Sequence, residues 1–371
     1  MKTVCELNKC AGCMACIDIC PKGAIVSRDE LYAYNAVIQE DKCVGCNSCY
    51  AVCQKNQTVD FLKPNKWYQG WHNDLEVRKR SSSGGVATAI MSAFIEHGGI
   101  VCSCSFEAGK FGFDFVDNQK ELSKFSGSKY VKSNPKGIYR KVKDFLKKGQ
   151  KILFIGLPCQ VSALKNYVEP KFRSELYTID LICHGTPSPT LLKKFLEQYD
   201  VSLEKLEDIQ FRVKAKFMVY GDYKGIITNG VSDKYSIAFL NSLIYTENCY
   251  TCQYARKERI SDLTLGDSWG SELPVEEQKK GISLILQQSE KGGSLLEMAN
   301  IHLEKVNLNN AIANNHQLEH PSVMPTGRKQ FFQHLHTKKF NKLVFRQLPK
   351  QCMRQNIKQI LIQLKLLRVE N

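Results

Sequence analysis

A chain of 371 residues exceeds one typical domain, so two compact units, or one large unit with an appended module, are expected. Hydrophobic residues at 43% and charged residues at 24% exclude a wholly disordered or fibrous polymer. The formal net charge of +15 is unevenly placed, because Arg328 to Asn371 holds eleven basic residues against one acidic residue, Glu370, while residues 1–63 balance seven against seven.

Met1 to Cys10 is polar, with no apolar run and no small-residue cleavage site, so the sixteen cysteines are expected to stay reduced in a cytoplasmic protein and to bind metal. Cys10, Cys13, Cys16 and Cys20 follow the spacing C-x2-C-x2-C-x3-C with Pro21 next, and Cys43, Cys46, Cys49 and Cys53 repeat it 33 residues on. Three closely spaced thiolates let one loop wrap three corners of an iron-sulfur cube, while the fourth points toward a partner cluster. Two 4Fe-4S clusters are therefore expected, one on Cys10, Cys13, Cys16 and Cys53, the other on Cys43, Cys46, Cys49 and Cys20. Zinc, the alternative, usually takes separated C-x2-C pairs. Loaded with anionic clusters, this near-neutral segment turns negative, so part of the basic surplus reads as counterweight. Residues 1–63 resemble a bacterial-type two-cluster ferredoxin domain, with one departure: Gln54 stands where the second motif of that pattern has proline. The departure is expected to touch exposure and potential rather than assembly. Cys5 lies outside the pattern and reads as a spare thiol.

Residues 64–80 carry Pro64, Trp67, Trp71 and the run Arg78-Lys79-Arg80, and read as a connection into a second unit spanning 64–327. Ser81-Ser82-Ser83-Gly84-Gly85 precedes a helical pattern of Val86, Ile90, Phe94 and Ile95, which gives either an anion site at a glycine-rich helix start or a capped helix with a tight packing glycine. The apolar stretch Gly84 to Phe106 is broken by Glu96, His97 and two glycines, so it predicts a helix plus a strand rather than a membrane span. Cys102 and Cys104 alternate on that strand and read as core. Lys151–Gly156 predicts a strand, followed by the turn Leu157-Pro158-Cys159-Gln160 and a helix over Val161–Tyr167; Tyr177–Ile182, the turn Cys183 to Pro189 and a helix over Thr190–Tyr199 repeat the grammar. The fold class expected is α+β: a ferredoxin-like dicluster domain followed by a larger α/β domain whose mixed sheet is flanked by helices. Ligands of such sheets gather beyond the carboxyl ends of strands. Cys159 and Cys183 fall on that rim, and Cys249-Tyr250-Thr251-Cys252 precedes a further strand, Leu263–Leu265. These four cysteines are assigned to a third 4Fe-4S cluster, with a redox dithiol at Cys249 and Cys252 or a zinc site as alternatives.

Ser83-Gly84-Gly85, Ser126-Gly127-Ser128-Lys129-Tyr130, Gly156-Leu157-Pro158-Cys159-Gln160, Cys183-His184-Gly185-Thr186-Pro187-Ser188 and Leu265-Gly266-Asp267, taken jointly and in order, resemble the beta subunit family of coenzyme F420-reducing hydrogenases and dehydrogenases. The resemblance implies an iron-sulfur flavoprotein in which FAD exchanges hydride with F420 or another organic partner. It implies flavin contacts from Ser83, Gly84, Gly85, Gly127, Ser128, Lys129, Pro158, Gln160 and Asp267. Clusters move single electrons and hydride carriers move pairs, so a flavin between them is chemically sensible. Lys129 either stabilises charge on the reduced flavin or is a solvated turn lysine; His184 either relays protons or hydrogen-bonds a cluster thiolate; Asp267 either holds a ligand or caps a turn. The expected partners are ferredoxin or another one-electron carrier and an organic hydride donor or acceptor. The competing expectation is a non-catalytic electron-transfer adaptor within a larger complex.

Residues 328–371 close the chain as a basic amphipathic tail in which Met353, Ile357, Ile360, Leu361, Leu364 and Leu367 recur at three- and four-residue steps. Its greasy face is expected to dock on its own domain, on a partner subunit, or on an anionic membrane at the inner face. Cys352 is given no chemical role. No nucleic-acid reader motif accompanies the charge, and no nucleic acid is expected.

Overall fold

The 33-residue repeat in sequence is a repeat in backbone. Each four-cysteine run folds into a loop and a short helix, Ala15–Ile19 and Ser48–Val52. Both loops turn left-handed at matched positions, Gly12 and Gly45 (φ 68° and 71°), then Met14 and Asn47 (φ 63° and 58°). Both helices stop at a cysteine held extended with ψ 112°, Cys20 and Cys53, so the fourth thiol of each run leaves its own loop. Between the runs, β1 (Ile25–Asp29) and β2 (Tyr34–Ile38) pair antiparallel. The structure, a computed structural model, describes residues 1–222, 224, 225 and 231–367.

The larger unit is built on an eight-stranded mixed sheet. Its strands are β3 (Lys66–His72), β4 (Ile100–Glu107), β5 (Lys110–Val116), β6 (Ile152–Gly156), β7 (Leu176–Leu181), β11 (Leu263–Asp267), β12 (Ser283–Gln287) and β13 (Ile301–Lys305); β8 (Ile209–Val213), β9 (Lys216–Gly221) and β10 (Lys224–Gly225) form a separate three-stranded sheet. The spatial order is β13-β3-β12-β11-β7-β6-β4-β5. Strands β4, β6, β7 and β11 run parallel, and the antiparallel strands lie on both flanks. The buried runs of β6 and β12 show no polar alternation, as expected of strands covered on both faces. The helix Val86–Glu96 packs on one face. The helices Ile138–Lys147 and Pro158–Tyr167 pack on the other and share a core with Val4, Cys13, Ala15, Ile25 and Val52 of the ferredoxin module. The helix after β6 begins at Pro158, three residues before the sequence expectation. Proline at the first helical position presets φ, and the Gln160 side chain accepts from the Leu157 amide at 2.9 Å.

A third core joins β8 and β9 to the helices Pro189–Leu196, Lys234–Leu240, Arg328–His334 and Phe340–Gln347. The basic segment from residue 328 packs into this core over much of its length: Phe331, Leu335, Phe340, Leu343, Val344 and Cys352 are buried there. Arg328, itself buried, donates to Glu247, to the Tyr32 carbonyl of the ferredoxin module and to the Tyr245 carbonyl. The last helix, Pro349–Gln363, inverts the self-docking expectation. Cys352 faces the protein and Gln355, half-buried, accepts from the Ser232 amide, while exposed Asn356 accepts from Lys234 Nζ; of the apolar stripe Leu361 is half-buried and Met353, Ile357, Ile360 and Leu364 stand exposed. Residues 368–371 of the basic segment lie outside the described residues.

Candidate metal centre

The module's thiols fall into two groups that cross the repeat. Cys10, Cys13, Cys16 and Cys53 line one pocket together with Cys5, Ala11, Gly12 and Gln54. Cys49 feels Cys20 and Cys43 as its thiol neighbours, and Cys43 and Cys46 are exposed. Backbone amides already aim at sulfur: Gly12 N lies 3.4 Å from Cys10 Sγ and Ala24 N lies 3.3 Å from Cys20 Sγ. Thiols converging from two loops, with N–H donors directed at them, are the donor chemistry a 4Fe-4S cube requires, so these residues fit that group. Cys5, read from sequence as spare, sits against Cys10 and Cys53. Its hydrogen bond is the largest cause holding the Cys53 thiol down to about 7.

Beyond this pocket lies a cleft at the carboxyl rim of β6 and β7. It is lined by Cys159, Cys183, Cys249 and Cys252, with Pro158, His184, Tyr254 and Arg259. The four cysteines come from three separate segments. Cys159 lies in the first turn of the helix after β6, Cys183 follows β7, Cys249 lies within the 3-10 helix Glu247–Thr251 and Cys252 directly follows it. The Thr186 amide lies 3.5 Å from Cys249 Sγ. Burial pushes the Cys159 thiol up to about 12, with the Lys132 charge opposing it. Among the described residues no three His, Cys, Asp or Glu side chains close tightly enough to hold a single ion. Four thiols brought to one cleft from three segments are a donor set that fits a 4Fe-4S cluster.

The two cavities touch. Ala11 and Gln54 line both, and Gln54, the residue that replaces proline, takes the Tyr254 hydroxyl at 2.5 Å while its carbonyl accepts from Gln253 Nε2 at 3.0 Å. Gln253 and Tyr254 directly follow Cys252. Arg259 fastens the same segment: its guanidinium, 2% exposed, bonds the fully buried Asp180 at 2.7 Å and the Tyr254 carbonyl at 2.7 Å.

The residues expected to contact a flavin separate into two neighbouring places. Ser83 and Gly84 lie beside Gly127 and Ser128, linked by the Ser128 amide donating to Ser82 Oγ at 3.1 Å. Pro158 lines the cysteine cleft, and Gln160 is turned inward to donate to Ser133 Oγ. At Gly84 the packing reading prevails: its amide donates to Ser283 Oγ, and a Cβ there would meet the Gly70 carbonyl and lie 2.7 Å from the Ser283 nitrogen. Gly85 caps the helix with φ 85°. Lys129 Nζ folds back on the Ser126 and Gly127 carbonyls, and burial lowers its pKa. The Asp267 carboxylate is occupied by both guanidinium nitrogens of Arg212. Arg212 and Lys214 are the functional candidates sequence reasoning missed here. Lys214 donates to the Ser83 carbonyl at 3.0 Å and is brought down to about 8, first by burial and then by Arg78 and Arg212. This cationic corner fits an anionic cofactor, whereas Gly84, Gln160 and Asp267 already have protein partners. His184 reaches toward both places, lining the cleft and feeling Asp267. The Gln317 amide lies 2.7 Å from its Nδ1, and burial, then His316, lowers its pKa to about 4.

Residues 9–57 match the model of a 4Fe-4S dicluster domain. Residues 67–136 and 149–310 match the N-terminal and C-terminal models of the coenzyme F420 hydrogenase/dehydrogenase beta subunit. In fold, the chain is similar to a chain of the F420-reducing [NiFe] hydrogenase complex from Methanosarcina barkeri, at 18% identity and a TM-score of 0.50, over 77% of this chain and 99% of that one.

Proposed function

The chain belongs to the coenzyme F420 hydrogenase/dehydrogenase beta subunit family and carries an iron-sulfur dicluster domain in front, and from that premise we propose that it is an iron-sulfur flavoprotein oxidoreductase. It couples hydride exchange between FAD and an organic substrate or F420-like partner to single-electron transfer to or from ferredoxin or a similar carrier. The observation that carries the reading is the adjacency of the two thiol-lined cavities, which share Ala11 and Gln54. Bound, 4Fe-4S clusters supply one-electron steps and FAD supplies the two-electron step.

The protein's own residues have distinct tasks in this reading. Exposed Cys43 and Cys46 present the outer thiol set to a carrier, and the buried Cys10 set leads inward. Cys159, Cys183, Cys249 and Cys252 hold a third cluster. Lys214, next to the Arg212–Asp267 pair, adds positive charge beside Ser83, where an anionic cofactor gains most from it. His184, kept neutral by burial, is placed to pass a proton at its ring nitrogen. The apolar and basic outer face of the last helix suits a partner subunit or an anionic membrane.

Anaerobic reconstitution tests the reading. About twelve irons per chain, falling by about four in Cys249→Ser/Cys252→Ser, supports the third cluster; about eight irons unaffected by that change removes it. Stoichiometric flavin reduced by F420H2 or a nicotinamide supports the enzyme. The engagement of Gly84, Gln160 and Asp267 by protein partners favours a second reading, an electron-transfer adaptor, and protein that binds no flavin at all would establish it.

A further inference from the structure

Lys132 is a buried cation placed between two sets of thiols. Its side chain is 5% exposed. Its backbone amide bonds the Pro187 carbonyl at 2.9 Å, within the turn that carries Cys183. Its Nζ donates to the Ala11 carbonyl at 2.9 Å, between Cys10 and Cys13, and lies 5.4 Å from the Tyr34 ring centre. The cluster-binding loop is shaped to admit it. Gly12 is left-handed at φ 68°, and a Cβ there would lie 2.9 Å from Lys132 Cδ. The same side chain lines the cleft of Cys159, Cys183, Cys249 and Cys252.

Among the described residues no carboxylate lies within ion-pair distance of Lys132. Burying an ammonium without a counter-charge is costly, and nature rarely leaves one unpaired. The groups that feel this charge are thiols on both sides. Its Nζ is held on the loop between Cys10 and Cys13, and the side chain lines the cleft of Cys159, Cys183, Cys249 and Cys252. The missing negative charge is therefore what those thiols acquire once they hold metal.

We propose that Lys132 is the shared counter-ion of the two metal sites it separates, stabilising their reduced, more negative forms. Its action on the Cys159 set rests on the third cluster proposed above; its action on the Cys10 set rests on the dicluster domain alone. A fixed cation in a low-dielectric site raises the reduction potential of a neighbouring cluster. The outer thiols Cys43 and Cys46 are exposed to water, which screens them from such a charge. An electron delivered at the surface therefore finds the inner site more favourable, and Lys132 sets that inward slope.

The test uses full-length, anaerobically reconstituted protein as wild type, Lys132→Met, Lys132→Gln and Lys132→Arg, with iron and sulfide counted and potentials read by EPR-monitored titration. A Cys46→Ser protein identifies the outer cluster's signal. The expected result is a more negative midpoint for the Cys10-set cluster in the Met and Gln variants, a near-wild-type value in Arg, and an unmoved outer cluster. Unchanged potentials in the neutral variants, or an equal shift in Arg, overturn the proposal. If the neutral variants lose iron while Arg keeps it, the charge is needed for assembly and the proposal stands; iron loss in all three marks a packing role and overturns it. Wild type with about eight irons removes the third cluster yet leaves the Cys10-set measurement decisive, so the two failures are distinguishable.

Discussion

Arg259→Met should be among the most destabilising single changes in this protein. Asp180 ends the buried stretch of β7, and Arg259 follows the Cys249-x2-Cys252 turn, so the pair joins the two segments that bring Cys183 and Cys252 to the cleft. One oxygen of Asp180 takes both guanidinium bonds, at 3.2 and 2.7 Å, and the other has no hydrogen-bond partner. Side-chain exposures of 2% and 0% mean that removing the arginine strands a carboxylate in the interior. Breaking one side of a buried pair costs about 3–5 kcal/mol, whereas exchanging both partners for apolar groups of similar volume is often neutral. Urea unfolding at matched iron content, comparing midpoints at constant slope, should show that loss for Arg259→Met. Arg259→Met/Asp180→Leu should recover at least ~2 kcal/mol of the summed single costs, a coupling typical of directly bonded groups. A single-variant cost below ~1 kcal/mol, against the ~3–5 expected for a stranded charge, or strict additivity in the cycle, would refute the reasoning.

Gly84→Ala should cost ~1–3 kcal/mol by overpacking against the Gly70 carbonyl and the Ser283 amide, read as a lower thermal midpoint. Phe331→Ala should cost ~3–5 kcal/mol because its ring is wholly buried in the third core. Ile357→Ser, on the exposed stripe, should change stability by less than ~0.5 kcal/mol yet reduce sedimentation with anionic vesicles if that stripe meets lipid. Lys214 binds its proton less tightly folded than unfolded, with a pKa near 8 against 10.5. Between those values the unfolded chain holds more protons, so stability attributable to this group rises with pH through that window. Lys214→Met should remove that rise, seen as a smaller gain in urea midpoint between pH 8 and 10 than in wild type.

Much of the metal chemistry was legible because cluster ligation is local. A C-x2-C-x2-C-x3-C run fixes which thiols share a loop, and its 33-residue repeat already implied loops that would each lend a thiol to the other. Strand and helix existence in the sheet was legible for the same reason, since β6, β7 and their following helices announce themselves by short-range pattern and turn chemistry. Boundaries moved by one to three residues where a cap intervened, as at Pro158. Lys132, Arg212 and Arg259 gave no such signal. Each is a basic residue in an irregular or short segment, indistinguishable in sequence from a solvated lysine or arginine.

The sequence by itself determined the inventory: eight cysteines in two matched loops, four more at strand ends and a C-x2-C turn, and an amphipathic helix at the close. Only the tertiary structure decided what that inventory surrounds. It brought Gln54 against Tyr254, slid Lys132 past Gly12 between two thiol sets, and turned the greasy stripe of the last helix outward while Cys352 of the same helix went in. The physical reason is that periodicity records a residue's relation to its own helix or strand, whereas burial and counter-charge are conferred by segments far away along the chain.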